Sequence, residues 1–217
     1  MSESKRVVLL VGSPKGLERS GSAKLGRVVT NALEAFEWHC DAFHLHAAVR
    51  AEEEMSKLLT AIDACDLVVL SLPLYVDSLP APVIHALHDI AAHRSQSTSN
   101  RAPHFFSIVN CGFVDPWQNA CAQRMLRLFC AEARLESVGE VSLGAGGTMT
   151  GKVLKAFKVV VAALNEGERV PNSVGELLKK RVIPGFAYIL GGNYMWKKQS
   201  KRSGVRDQLK AQPYKRA

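Results

Sequence analysis

Short apolar runs alternate along the chain with longer stretches in which apolar residues recur every three or four positions. Five runs are interpreted as strands: 6–12, 37–45, 66–73, 104–110 and 137–143. The stretches between them have the spacing of amphipathic helices: 22–36, 52–65, 81–93 and 117–133. Apolar strands that alternate with helices are typical of a parallel sheet covered on both faces. The pattern therefore predicts a doubly wound α/β fold with five strands.

The alternation stops after Gly147. Beyond it, 151–164 is predicted to be a helix, 173–182 a shorter helix, and 185–196 an apolar segment that packs on the domain or on a second subunit. Before that point, the polar stretch 93–104 has the composition of a disordered loop. Because the chain has 217 residues, one domain is expected.

The positive charge of the chain is concentrated at its C-terminal end. The formal net charge is +8, and residues 193–217 contain eight Lys and Arg but only one acid, Asp207, so they contribute +7. We therefore divide the chain into a domain at 1–192 and a basic extension of that domain at 193–217. Such a tail attracts nucleic acid, anionic membrane or phosphorylated ligands. A solvated charged face is the favoured interpretation, because no nucleic-acid-binding motif accompanies it.

The cysteines and the apolar segments indicate a cytoplasmic protein. The five cysteines are odd in number and form no CxxC pair, which predicts reduced thiols and no metal site. No apolar stretch reaches the length of a membrane span, and the first residues do not have the pattern of a secretory signal.

The loop after the first strand has the composition of an anion site. It is rich in Gly and Ser and opens a helix, whose first N–H groups are unpaired and lie at the positive end of the helix dipole. Ser20 and Ser22 add hydroxyl donors, and Lys15 or Arg19 adds charge. The alternative is that Ser20 or Ser22 only caps the helix. The loop contains neither GxGxxG nor GK[ST], so neither a Rossmann dinucleotide site nor a P-loop is indicated.

Two further strand ends indicate which phosphate ligand is bound. In an open parallel sheet, ligands bind beyond the carboxyl ends of the strands, at the switch in strand order. The third strand leads to Tyr75 and the fourth to Phe113, next to backbone shaped by Pro73 and Gly112. A flat ring between these loops, with its phosphate in the first loop, describes FMN.

The chain resembles the flavodoxin-like NAD(P)H-dependent FMN reductases and quinone reductases. The resemblance rests on GSPKGLERSGSAKL (12–25), PLYVDSLPAPVIHALHD (73–89) and NCGF (110–113). The ending W…KRSGV…QPY is also similar to one branch of that family. The order and spacing of these motifs are more specific than any one of them.

The resemblance implies a flavodoxin-like fold, bound FMN, and NADPH or NADH as the hydride donor. The implied phosphate ligands are Ser13, Lys15, Ser20, Gly21 and Ser22. The residues that would line the isoalloxazine ring are Pro73, Leu74, Tyr75 and Val76. Its pyrimidine end would meet Asn110, Cys111, Gly112 and Phe113. Many family members have Glu and Asn where this chain has Leu74 and Val76, so contacts there would come from the backbone.

The implied activity is an oxidoreductase that passes hydride through FMN to a quinone, a flavin or a similar small acceptor. Because the flavin carries the chemistry, no indispensable catalytic side chain is expected. The resemblance also implies a homodimer or tetramer. Two alternatives stay open: an electron carrier of the flavodoxin type, although such carriers are typically acidic, and a non-enzymatic module whose basic tail binds nucleic acid or membrane.

Three other features favour ordinary structural roles. Residues 146–153, GGTMTGKV, fall one residue short of a P-loop, because Val153 stands where Ser or Thr would bind magnesium; we interpret the glycines as a turn, at the rim of the acceptor pocket. His85 and His88 lie three residues apart on a helix without a matching carboxylate, which favours a packing face over a metal site. Cys111 is interpreted as a packed thiol.

Overall fold

One parallel sheet organises the first part of the molecule. The structure is a computed structural model that describes residues 4–97, 101–181 and 183–211. Within these residues the sheet has the order β2-β1-β3-β4-β5, with all neighbours parallel. The strands are β1 Arg6–Val11, β2 His39–His44, β3 Leu67–Pro73, β4 His104–Asn110 and β5 Glu136–Leu143. This order is that of the flavodoxin-like doubly wound fold, which confirms the predicted fold.

Helices cover both faces of the sheet. They are α1 Gly16–Arg19, α2 Gly21–Glu34, α3 Leu45–Ala48, α4 Glu52–Ala64, α5 Ala81–Gln96, α6 Ala120–Glu132, α7 Gly151–Glu166 and α8 Asn172–Leu178. Along β1 the side chains alternate between the two faces. Val8 and Leu10 join a core with α4, α5 and α6, whereas Leu9 and Val11 join a core with α2, α7 and α8. Burial on both faces explains why the strands are continuous apolar runs.

The predicted strands end within two residues of the observed ones, but the predicted loop at 93–104 is partly wrong. Helix α5 continues to Gln96, three residues beyond its predicted end. Arg94, in the predicted loop, is only 1% exposed. Polar composition alone indicated disorder there, whereas partners from three other segments hold this side chain.

Arg94 joins three segments below the amino ends of the strands. Its guanidinium donates to Asp63 Oδ1 at 2.8 Å, to the carbonyl of Arg101 at 2.8 Å and to the carbonyl of Ala133 at 3.4 Å. His93 Nε2 lies 2.6 Å from the other oxygen of Asp63. Burial alone would raise the pKa of Asp63, but the hydrogen bonds from His93 and Arg94 outweigh it and lower that pKa below its usual value. The carboxylate is therefore charged and paired.

The second part of the chain is a separate compact unit. The division falls between residues 182 and 183. The second unit contains a further helix, α9, at Gly185–Arg202, which passes through the boundary predicted after residue 192; the domain limits at 1–192 and 193–217 stay a prediction. Within the described residues, no helix combines the length and the apolarity needed to cross a membrane.

Candidate functional site

The loops after β1, β3 and β4 lie at the same edge of the sheet, where the strand order switches. The three strands are neighbours in the sheet, and Pro73 at the end of β3 pairs with Asn110 at the end of β4. Backbone hydrogen bonds join the loops: Gly12 N donates to Ser71 O at 2.9 Å, and Leu74 N donates to Asn110 O at 2.8 Å. The three segments predicted from sequence to hold a ligand are therefore adjacent.

The first loop contains a cap and buried hydroxyls. Ser20 is fully buried at the N-terminus of α2, and its Oγ accepts from Ala23 N at 2.9 Å. In this cap Oγ accepts a hydrogen bond, so the hydroxyl O–H of Ser20 is still available to donate a hydrogen bond to an anion. Ser13 is also buried, whereas Lys15 and Arg19 are exposed beside the loop.

Ser22 connects the first loop to β4. Its buried Oγ donates to Asn110 Oδ1 at 2.8 Å, and its backbone carbonyl accepts from Ser71 Oγ at 2.7 Å. The sequence interpretation assigned Ser22 to a phosphate, whereas the structure places its hydroxyl on Asn110. In this arrangement Ser22 holds the loop against the strands.

Two histidines that the sequence analysis did not select support the first loop. His44 Nε2 lies 2.8 Å from the carbonyl of Ser13, and His46 Nε2 lies 3.2 Å from the carbonyl of Gly12. Because carbonyl oxygens only accept, both Nε2 atoms carry the proton. The two rings stack with their centroids 5.5 Å apart. Burial lowers the pKa of His46, so at neutral pH it supports the loop as an uncharged ring.

The double variant His44→Phe/His46→Phe is expected to weaken the FMN binding that the sequence predicts about tenfold, or by about 1.4 kcal/mol. Phenylalanine retains a flat ring but removes both donors, so the carbonyls at 12 and 13 lose the contacts that orient the loop. Fluorescence titrations with FMN and riboflavin measure this effect. Riboflavin lacks the phosphate, so its affinity is expected to stay within twofold; an equal loss for both ligands would contradict a role in the phosphate loop.

The loop after β3 is a tight hairpin. Tyr75 and Ser78 exchange backbone hydrogen bonds of 3.0 and 3.1 Å, and the two residues between them, Val76 and Asp77, have φ of 49° and 56°. Leu74 is buried, Tyr75 is 43% exposed and Val76 is 98% exposed. A β-branched residue is unfavourable at positive φ, so Val76 strains the turn.

Val76→Asn is expected to raise the free energy of unfolding by about 1 kcal/mol, because asparagine tolerates the left-handed conformation. Val76→Ala is the matched control, and it recovers less than half of this amount since alanine also disfavours positive φ. Urea unfolding measures both variants. A lower midpoint for the asparagine variant than for the natural protein would show that the turn is not strained.

The loop after β4 places one aromatic ring at the surface and one thiol in the interior. Phe113 is 53% exposed, whereas Cys111 is buried, with its Sγ 3.7 Å from the carbonyls of Phe113 and Asp115. Burial raises the pKa of the Cys111 thiol, so it is protonated at neutral pH. Cys111 therefore packs inside the loop and leaves Phe113 to meet a ligand.

The turn after β5 forms a fourth side of the site. Ala145 N donates to Phe113 O at 2.5 Å, and Gly146 N donates to Cys111 O at 2.7 Å. A Cβ added at Gly21 in the first loop would lie 3.7 Å from Gly146 O, so this turn also borders the phosphate loop. Lys152, the lysine of the incomplete P-loop motif, donates to the carbonyl of Lys180 at 3.3 Å.

The residues present fit a phosphorylated flat ring. The N-terminus of α2, a helix of 14 residues, meets the buried hydroxyls of the first loop. Tyr75 and Phe113 present exposed rings from the next two loops, and a Cβ added at Gly112 would meet no atom within 4 Å in the described structure. A phosphate in the first loop and a ring between the other two would match these surfaces.

Comparison with solved structures identifies the same fold in several flavin proteins. An NADH:FMN oxidoreductase in its apo form has a TM-score of 0.59 at 14% identity, covering 79% of this chain and 94% of that chain. An FMN-dependent NADH-azoreductase from Bacillus anthracis has a TM-score of 0.55 at 14% identity, covering 75% and 99%. A flavodoxin from Streptococcus pneumoniae has a TM-score of 0.52 at 14% identity, covering 73% and 99%. No family model and no curated protein sequence matches the chain. At this identity the similarity establishes the flavodoxin-like fold.

Proposed function

We propose that this protein binds FMN and oxidises NADH or NADPH, with a quinone, a flavin or a similar small molecule as the electron acceptor. The observation that carries the proposal is the meeting of the loops after β1, β3 and β4 at the switch in strand order, the position where doubly wound proteins bind their ligands. Oxidoreductases that use FMN and NADH are among the proteins of the same fold, which supports the proposal.

The residues of each loop would have distinct tasks. The first loop would hold the phosphate through backbone N–H groups at Gly21, the hydroxyl of Ser20 and the charge of Lys15. Tyr75 and Phe113 would contact the ring, with backbone of Pro73, Leu74, Val76 and Gly112 as neighbours, and buried Ser13, Ser22, Asn110 and Cys111 would support the loops. When bound, FMN supplies the hydride chemistry, and the protein orients it and shields one side of its ring.

A second candidate is an electron carrier of the flavodoxin type, which is favoured by the likeness to the S. pneumoniae flavodoxin. Such a carrier would bind the same cofactor without oxidising nicotinamide.

Anaerobic addition of NADH, and separately of NADPH, to the FMN-loaded protein tests the proposal. We expect at least one of the two nicotinamides to bleach the visible bands of the bound flavin. This bleaching is expected to be faster than that of free FMN under the same conditions. If dithionite bleaches the bound flavin but neither NADH nor NADPH does, the result would contradict a reductase activity and favour an electron carrier.

A further inference from the structure

Helix α9 in the second unit combines a large exposed apolar surface with a basic end. Six large apolar side chains of this helix are each between 61% and 72% exposed: Phe186, Ile189, Leu190, Tyr194, Met195 and Trp196. Three of the six are aromatic. A soluble surface helix usually exposes few such residues, so this concentration points to an interaction surface.

The apolar residues mostly share one side of the helix. Phe186, Ile189, Leu190 and Tyr194 follow the spacing i, i+3, i+4 and i+8, which places them on one face of an α-helix. Trp196 lies at the margin of this face, whereas Met195 lies opposite. The face has therefore an aromatic residue at its beginning and two near its end.

Basic residues follow immediately. The last turns of α9 contain Lys197, Lys198, Lys201 and Arg202, and Arg206 and Lys210 come after the helix. No Asp or Glu occurs between residues 183 and 206. The second unit thus presents its positive charge next to its aromatic residues, with Asp207 as the one acid in its sequence.

We propose that α9 and the basic segment after it bind the surface of an anionic lipid bilayer. Helices that lie in the interface place Trp, Phe and Leu among the acyl chains and Lys or Arg among the headgroups. Juxtaposed basic residues are attracted by anionic lipid. The basic residues follow the apolar face at the C-terminal end of α9, where they would reach the headgroups, so the charge that sequence alone favoured as a solvated face would have a lipid partner.

The charge of the chain also favours an anionic bilayer over a second copy of the chain as the partner of α9. Residues 183–217 carry +7, and the remaining 182 residues carry only +1, so a second copy offers the helix no excess of negative charge. Pairing of two such helices would bring like charges together. Nucleic acid would neutralise the basic residues, but its binding would not explain why six large apolar side chains are exposed.

Sedimentation with vesicles tests the proposal on the full chain without FMN or nicotinamide, so its outcome is independent of the proposed function. Vesicles of phosphatidylcholine alone are compared with vesicles containing phosphatidylglycerol. We expect at least tenfold more bound protein on the anionic vesicles, and a loss of most of this binding when the salt concentration is raised from 0.05 to about 0.5 M, because salt screens the attraction.

Matched substitutions test the apolar face. The α9 variant Phe186→Gln/Leu190→Gln/Trp196→Gln is expected to reduce anionic-vesicle binding at least fivefold. The control variant Phe36→Gln/Leu128→Gln/Trp117→Gln changes the same residue types at side chains that are 55%, 62% and 67% exposed outside α9, and it is expected to bind as the natural protein does. Circular dichroism confirms that each variant is folded before it is compared.

Several results would overturn the proposal. The first such result is equal, weak binding to both kinds of vesicle. The second is an α9 variant that binds anionic vesicles as well as the natural protein does. A dimer in sedimentation velocity that dissociates only in the α9 variant, without vesicle binding, would assign a second copy as the occupant. Salt-sensitive binding to duplex DNA without vesicle binding would assign nucleic acid.

Discussion

Arg94→Met is expected to lower the free energy of unfolding by about 2–3 kcal/mol, less than the cost of breaking a fully buried ion pair, because the Asp63 side chain is 35% exposed. The guanidinium is 1% exposed and donates to Asp63 and to the carbonyls of Arg101 and Ala133. Methionine fills similar space but donates no hydrogen bond, so the carbonyls of Arg101 and Ala133 lose the guanidinium as a donor, and Asp63 keeps His93 alone of its two partners here. Urea unfolding measures the loss.

Arg127→Met is the matched control. Arg127 pairs with Glu140 at 2.5 Å, but its side chain is 52% exposed, so water and salt screen the pair and the expected loss is below about 1 kcal/mol. Similar losses in the two variants would contradict a special role for Arg94. A variant at position 94 that stays within 1 kcal/mol of the natural protein would do the same.

Gly144→Ala is expected to weaken the binding of FMN and of riboflavin at least tenfold. A Cβ at residue 144 would overlap the carbonyl oxygen of Val114 and lie 2.7 Å from its carbonyl carbon and 2.9 Å from Phe113 O. These are backbone atoms, so the loop that carries Phe113 has to move. Overpacking of this kind also costs about 1–3 kcal/mol of stability.

Fluorescence titration with both flavins measures this effect, and Gly151→Ala is its control. A Cβ at residue 151 meets no atom within 4 Å in the described structure, and alanine suits the first turn of α7. We expect the control to bind both flavins normally. Because Gly144 acts on the ring side of the site, a loss confined to FMN would contradict the placement of the ring next to Phe113.

Much of the fold was predictable because its determinants are local. A strand covered on both faces needs an unbroken apolar run, and β1, β3 and β4 have such runs. The helices between them have apolar residues at helical spacing. The edge strand β2 is only partly buried, and its sequence is accordingly less apolar than those of the inner strands.

The features that were missed depend on contacts between distant parts of the chain. Arg94 is polar, and its burial is explained by hydrogen bonds to Asp63, 31 residues earlier, to Ala133, 39 residues later, and to Arg101. His44 and His46 lie 31 and 34 residues from the carbonyls that they bind. Two histidines spaced by two at the end of a strand were the available signal.

The candidate site was predictable as a set of loops but not in its details. Ligands bind at the carboxyl ends of parallel strands, so the sequence predicted that the three loops lie close together without knowledge of the strand order. The contact of Ser22 with Asn110, across 88 residues, was not predictable, because motif spacing does not show where a hydroxyl points. The identity of the FMN contacts stays a prediction.

FMN binding is tested by a visible absorption spectrum of the protein after incubation with FMN and removal of unbound flavin by desalting. We expect flavin bands to be retained at close to one FMN per chain, and riboflavin, which lacks the phosphate, to be retained less. A colourless protein after desalting, together with no change in flavin fluorescence on titration, would show that the loops after β1, β3 and β4 do not form an FMN site.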